Sequence, residues 1–431
     1  MSRRIEQEEM CRPRNETRRH FVQTGTIALA SVGAMRAVHA ASDSTIRVGL
    51  VGCGGRGTGA ARNALQADPN AKIVAMADLF RPAIDRSLVS LERRFPNQVE
   101  VEPDRQFVGF DSYQRLLDGD IDVVLLASPP HYRPDHMEAA VEAGKHIFCE
   151  KPVAVDPVGV RRVEAASGKA EQKGLNVVSG LCWRYDRGMV ETVSRILDGQ
   201  IGRVVATQAD YLTNALWTKN KLEGMSEFEY QCFNWYNHTW LSGDHIVEQF
   251  IHSLDKALWL RQDEPPVMAY GTGGRQLRTE VLNGDIYDHF CVTYEWADGS
   301  RTQANTRQLR GCMNQTEDFV FGSAGRAKLI KHEILGAKPW KFQGDEVQMH
   351  QAEQNELFKA IRGDRERINN GDYMCKSTLM AILGREVCYS GQRITWDEIA
   401  SSPQDLRPSA YDGSDVPAVV VKQPGKYQHP A

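Results

Sequence analysis

This 431-residue chain has no long apolar run, no excess of basic residues and no closely spaced cysteines, and each lack argues against a class of protein. The apolar stretch from Thr26 to Met35 is too short to cross a bilayer, which takes about 20 residues, so a permanent membrane anchor is disfavoured. Lys and Arg number 52 against 56 Asp and Glu, a net charge of −4. That balance argues against nucleic acid and anionic membrane surfaces as partners. None of the nine cysteines stands in a CxxC or other short metal-ligand spacing, and no metal is expected. Cys53, Cys149, Cys182 and Cys291 read as small, mostly buried hydrophobes.

What is present begins with a leader. Thr17-Arg18-Arg19-His20-Phe21-Val22 is a twin-arginine signature, the short apolar run follows it, and Val38-His39-Ala40 offers a small-residue cleavage site. Residues 1–40 therefore read as a signal peptide for the twin-arginine translocase, and the mature protein is expected in the periplasm or otherwise exported. They carry seven Arg and four Glu, which leaves the remainder near −7. The remaining length of about 390 residues exceeds what one core usually holds, so two domains are expected. Their bounds are set at 45–180 and 181–400, with an arm over 401–431 that is extended or disordered.

The first half alternates strand and helix patterns. Strands are expected over Ile46–Val51, Lys72–Ala77, Ile121–Ala127 and His146–Cys149, with helices over Thr58–Gln66, Pro82–Arg93 and Pro134–Ala143. Repeated βα units imply a doubly wound parallel sheet of the Rossmann kind.

Between the first strand and first helix lies Gly52-Cys53-Gly54-Gly55-Arg56-Gly57. Gly52 permits the tight turn, Gly54 lets the backbone approach a pyrophosphate, and Gly57 allows close helix–strand packing. The helix N-terminus beyond it favours phosphate charge. Asp78 closes the next strand, 21 residues past Gly57, where a carboxylate accepts from ribose hydroxyls and repels a 2′-phosphate. The expected cofactor is NAD, with NADP disfavoured.

Further along stand Ala127-Ser128-Pro129-Pro130-His131, then Glu150-Lys151-Pro152 after a later strand, then Trp183-Arg184-Tyr185, then His252-Ser253-Leu254-Asp255. With these motifs the chain resembles the Gfo/Idh/MocA oxidoreductases, a family named for glucose–fructose oxidoreductase, inositol dehydrogenase and a rhizopine-catabolism protein. The likeness runs from Ile46 to about Glu398. It implies that Gly55, Arg56, Ser128, Pro129, His131, Glu150, Trp183 and Arg184 belong to the cofactor site. It also implies that Lys151 faces the nicotinamide and handles the proton of the substrate hydroxyl. A lysine beside a cationic nicotinamide would have its pKa lowered toward the range of a general base.

The second half changes pattern. Tyr287–Trp296 alternates strictly, Asp298-Gly299 turns the chain into Arg301–Leu309, and Asp318–Gly322 pairs with Ala327–Lys331 across a Ser-Ala-Gly turn. The expected fold is thus α/β, the Rossmann domain being followed by an α/β domain with a large, mainly antiparallel open sheet. In the family that sheet closes one side of the cleft and its other face makes subunit contacts, which implies a homo-oligomer, a dimer or tetramer. Gln351–Ile361 and Tyr373–Tyr389 read as bracing helices.

A helix over residues 244–258 carries the remaining chemistry. At 100° per residue, Ile246, Val247, Phe250, Leu254 and Leu258 form a packing stripe, while Asp244, His245, Glu248, His252 and Asp255 share the opposite face. Family members usually carry Asp-x-x-x-His here, the His bonding the reacting hydroxyl. His252 matches it, but Glu248 stands in the Asp position, with a carboxylate about one methylene further out. Lys151 and His252 are expected to handle the proton, with Glu248 orienting. Tyr185, Trp235, His238 and His245 join them as candidate substrate contacts, since aromatic rings, amides and imidazoles suit a polyhydroxylated ligand. His245, Glu248 and His252 share a face that could suit zinc, but the two histidines lie two turns apart, about 10 Å along the axis.

The expectation is an exported oxidoreductase with tightly held NAD, taking hydride from a hydroxyl of a sugar, cyclitol or glycoside. The alternative is a redox-neutral NAD-dependent glycosidase, lyase or epimerase that oxidises transiently. A non-catalytic nucleotide- or sugar-binding protein is the third reading.

Overall fold

The computed structural model describes residues 44–345 and 347–430, so the twin-arginine leader lies outside the described residues. Six strands, β1 (Ile46–Val51), β2 (Ala71–Asp78), β3 (Gln106–Val108), β4 (Val123–Leu126), β5 (His146–Cys149) and β6 (Val177–Ser179), form one sheet in the order β3-β2-β1-β4-β5-β6. Every pairing in it is parallel. The physical cause is visible in β4, whose four residues Val-Val-Leu-Leu are all buried, as a strand covered on both faces requires. Helices α1 (Gly55–Ala67), α2 (Arg81–Arg94), α3 (Ser112–Leu117), α4 (Arg133–Glu142) and α5 (Pro157–Gln172) make the crossovers.

Past α6 (Arg187–Leu197) the chain enters a second sheet of nine strands: β7 (Val204–Thr213), β8 (Met268–Gly274), β9 (His289–Glu295), β10 (Arg301–Gln308), β11 (Gln315–Gly322), β12 (Gly325–Lys328), β13 (Glu333–Gly336), β14 (Trp340–Lys341) and β15 (Ile394–Thr395). All its pairings are antiparallel except β7 with β10. In β9, Phe290, Val292 and Tyr294 alternate inward, the signature of a sheet with one covered face. The alternating segments expected from the sequence are all found, shifted by a few residues.

Between β7 and β8 lie four short helices, α7 (Glu227–Phe233), α8 (Thr239–Ser242), α9 (His245–Glu248) and α10 (Ile251–Trp259). The single helix expected over 244–258 is therefore broken. The N–H of Phe250 reaches back five residues to the carbonyl of His245, at 3.1 Å, a π-type bulge that interrupts the 100° stepping. Helices α11 (Met349–Arg362), α12 (Gly371–Ser390) and α13 (Trp396–Ser401) complete the chain. Helix α11 packs on α1, and α12 packs on both α5 and β8. The arm beyond α13 runs extended across the molecule: Leu406 N–H donates to Asp156, Tyr411 bonds His131, and Tyr427 and His429 both reach the buried Glu386. No helix among the described residues is long and apolar enough to cross a membrane.

Candidate active site

The loop after β1 is shaped as a phosphate cradle. Gly52 has φ +95°, and a Cβ there would stand 2.4 Å from Ser128 N. A Cβ on Gly57 would lie 1.8 Å from the carbonyl oxygen of Gly52, so the first helical turn packs against the strand end only because both residues lack side chains. Gly54 and Gly55, by contrast, face open space. No side chain caps the start of α1, so its first N–H groups remain available to an anion. At the end of β2, Asp78 accepts from the N–H groups of Cys53 (2.7 Å) and Phe80 (2.9 Å), and burial raises its pKa. This combination of open glycines, uncapped helix and terminal carboxylate fits a dinucleotide.

The strand ends beyond β1 supply the reacting side of the cleft. After β5, Lys151 Nζ donates to the backbone oxygen of Glu248 (2.6 Å) and to its Oε1 (3.1 Å), and the Lys151–Pro152 peptide bond is cis. Glu248 is buried, and its Oε2 has no partner among the described residues. His252 lies beyond the bulge, one turn on. Burial, and then the charge of Lys151, drives its pKa well below the ordinary value, so the ring is neutral, and its Nδ1 has no partner among the described residues. Glu150 is buried and forms an ion pair with Arg56 at 2.6 Å, while its Oε2 accepts from the N–H of Lys151. Glu248, before the bulge, and His252, after it, thus both lie by Lys151, while the other ionisable groups of the segment are held elsewhere.

Those others have defined partners. Asp244, at φ +72° and fully buried, accepts from Tyr287 N–H (2.7 Å) and Tyr389 Oη (2.6 Å). His245 is fully buried with Nδ1 against the carbonyl of Tyr287 and its ring edge-on to Phe290. Asp255 holds Arg184, which is also paired with Asp263 and lies over the ring of Tyr373. Tyr185 bonds Asn370 (2.7 Å), and Trp183 lies under the ammonium of Lys256. Near β4, Ser128 bonds His136 (3.0 Å), with Pro129 half-buried beside it. His131 is buried between Tyr411 and Trp240, and burial holds its pKa at about 3. Trp235 stands edge-on to Trp217 at 5.8 Å; His238 is buried with neither ring nitrogen bonded, its pKa pushed down to about 4.

Two contributions had no signal in the sequence. Arg133 is buried and ties the two loops together, donating to Ser128 O (2.8 Å) and to the carbonyl of Pro152. Helix α11 brings His350 and Glu353 against Cys182, with ligand atoms all within 4.8 Å of one another, a set that could hold a metal. Burial pushes Cys182 and Glu353 up and holds His350 at about 4. These residues lie some 170 positions apart in the chain and form no motif.

Residues 46–180 match a family model described as oxidoreductase family, NAD-binding Rossmann fold, GFO_IDH_MocA. Inositol 2-dehydrogenase of Klebsiella pneumoniae is 26% identical over 220 residues, 51% of this chain and 56% of that protein. The chain thus spans about half the length of that relative. The scyllo-inositol 2-dehydrogenase (NAD(+)) of Bacillus subtilis is 28% identical over 306 residues, 69% of this chain and 79% of its own length. Among solved structures, an aldose-aldose oxidoreductase from Caulobacter crescentus superposes with a TM-score of 0.64 at 18% identity, covering 81% of this chain and 99% of the other, a likeness of fold. Over residues 46–180 the chain therefore carries an NAD-binding Rossmann domain of the GFO_IDH_MocA oxidoreductase family.

Proposed function

We propose that this protein is an exported oxidoreductase that carries tightly bound NAD and acts on a hydroxyl of a sugar, cyclitol or glycoside. The observation that carries the reading is the convergence of Lys151, Glu248 and a neutral His252 at the strand ends beside the glycine loop. The names of the inositol dehydrogenase relatives support a polyhydroxylated ring as substrate. Residues Gly52 to Gly57 and Asp78 would hold the cofactor, which when bound supplies a hydride acceptor. Glu248 anchors the Lys151 ammonium through two oxygens and sets its direction. Lys151 and the neutral imidazole of His252 together handle the proton of a ring hydroxyl as the carbon is oxidised. Buried groups around the pair exclude water, which strengthens their interactions.

The leader supports export through the twin-arginine translocase. Outside the cytoplasm a freely exchanging nucleotide is not replenished, which favours a retained one. Exposed Tyr270 and Phe321 on the second sheet support self-association of that face.

The test is to purify the protein from the periplasm, denature it, identify any released nucleotide, and screen cyclitols, sugars and glycosides. Stoichiometric NAD together with substrate-dependent NADH absorbance is the expected result. Product formation without net NADH would shift the reading to the redox-neutral alternative. Folded protein that releases no nucleotide would remove the retained cofactor.

A further inference from the structure

The loop between β7 and α7 reaches the far end of the cofactor cleft, and one of its side chains has donors to spare. Lys219 is pinned through its backbone: its N–H donates to Asn234 Oδ1 (3.0 Å), and its carbonyl accepts from Tyr230 Oη (3.1 Å). Its ammonium lies 4.1 Å from the ring centre of Phe233 and 4.8 Å from that of Trp217. Phe233 in turn meets Phe80 edge-on at 5.6 Å, and Phe80 is the residue whose N–H binds Asp78. Leu79 and Phe80 also pack against Phe228, Cys232, Trp240 and Leu241. The segment between β7 and α8 is therefore fastened to the strand end where the adenosine ribose of a dinucleotide binds.

Charge follows the same line. Lys219 and Arg86 both act on the Asp78 carboxyl against the effect of its burial. Yet among the described residues the Lys219 ammonium has its two ring contacts and no carboxylate or other hydrogen-bond acceptor. A half-buried ammonium held over two rings with open donors is poised for an acceptor from outside the chain.

We propose that Lys219 is a cofactor-binding residue that reaches across the cleft from the second sheet's side and grips the adenosine-diphosphate half of NAD. This rests on the NAD-carrying reading given above. It accounts for retention: a ligand held by the glycine loop on one side and by Lys219 on the other leaves only when the Phe80–Phe233 contact opens.

Lys219→Met keeps the apolar stem over Trp217 and Phe233 and removes only the charge. Its binding of NAD, ADP-ribose and nicotinamide mononucleotide is measured by calorimetry on nucleotide-stripped protein, beside the parent and Lys221→Met, whose lysine pairs with Glu227 in the same loop. NAD and ADP-ribose are expected to weaken by roughly tenfold to a hundredfold, as for loss of a charged hydrogen bond. Nicotinamide mononucleotide and the Lys221→Met protein are expected to match the parent. Unchanged ADP-ribose affinity in Lys219→Met, or an equal loss for nicotinamide mononucleotide, would overturn the assignment while leaving the NAD reading intact. A parent protein that binds no NAD would overturn both.

Discussion

Lys151 donates to two oxygens of Glu248 at once, one backbone and one carboxylate, and these two bonds fix the direction of the ammonium. Lys151→Ala is expected to lower kcat by about a hundredfold to ten-thousandfold, the range for a lost acid–base group. NAD affinity should stay within a few-fold of the parent, which calorimetry would check. The buried histidines set a second expectation. Burial holds His131 and His136 at about 3 in the folded chain, against the ordinary 6.5 when unfolded. Below pH 6.5 the unfolded chain takes up protons that the folded one refuses, so stability is full above that value and is lost as pH falls toward 3. Unfolding free energies from urea titrations at pH 7 and pH 5 should differ by on the order of 2 kcal/mol per histidine. At this scale the motif residues Lys151 and Asp78 were legible because their spacing to a glycine loop or a strand end is local. Arg133 and Glu353 were not, because their partners come from other elements.

The glycine loop and the broken helix show what an element adds. Gly54 and Gly57 differ as their places in the motif require: one faces open space, and a Cβ on the other would meet a carbonyl at 1.8 Å. Gly54→Ala should stay folded, with a melting temperature near that of the parent, and lose NAD affinity because a methyl occupies the phosphate approach. Gly57→Ala should cost about 1–3 kcal/mol in chemical denaturation, as overpacking does, besides losing the nucleotide. By periodicity the segment 244–258 is one helix with five ionisable groups on a face. The bulge at Phe250 breaks that face between Glu248 and His252, and Asp244 and His245 are held in the core beside Tyr287 while Glu248 and His252 lie by Lys151. Periodicity cannot register such a break, since one backbone bond of five-residue span changes no residue type.

The whole molecule is closed by its last 30 residues. Buried Arg385 donates to Gln404 Oε1 (2.9 Å), and its neighbour Glu386 accepts from Tyr427 (2.8 Å) and His429 (3.0 Å). Leu406 and Tyr411 join the aromatic cluster that fastens Phe80 to the helices between β7 and β8. Ending the chain after Ser401 would strip partners from a buried ion pair, and urea denaturation should show a loss of about 3–5 kcal/mol. The same truncation should speed nucleotide release, because Tyr411 packs against the cluster that contains Phe80.

The sequence by itself determined the two architectures and the nature of the cofactor. Those follow from short-range features: buried Val-Val-Leu-Leu runs, strict alternation in β9, and a glycine loop at fixed distance from Asp78. Only the tertiary structure decided which ionisable groups meet. Glu248 reaches Lys151 across 97 residues, His350 reaches Cys182 from a helix near the C-terminus, and Lys219 reaches the ribose end through Phe233 and Phe80. Contacts of that range are set by how helices pack and where a backbone bulges, and no local pattern of residues encodes them.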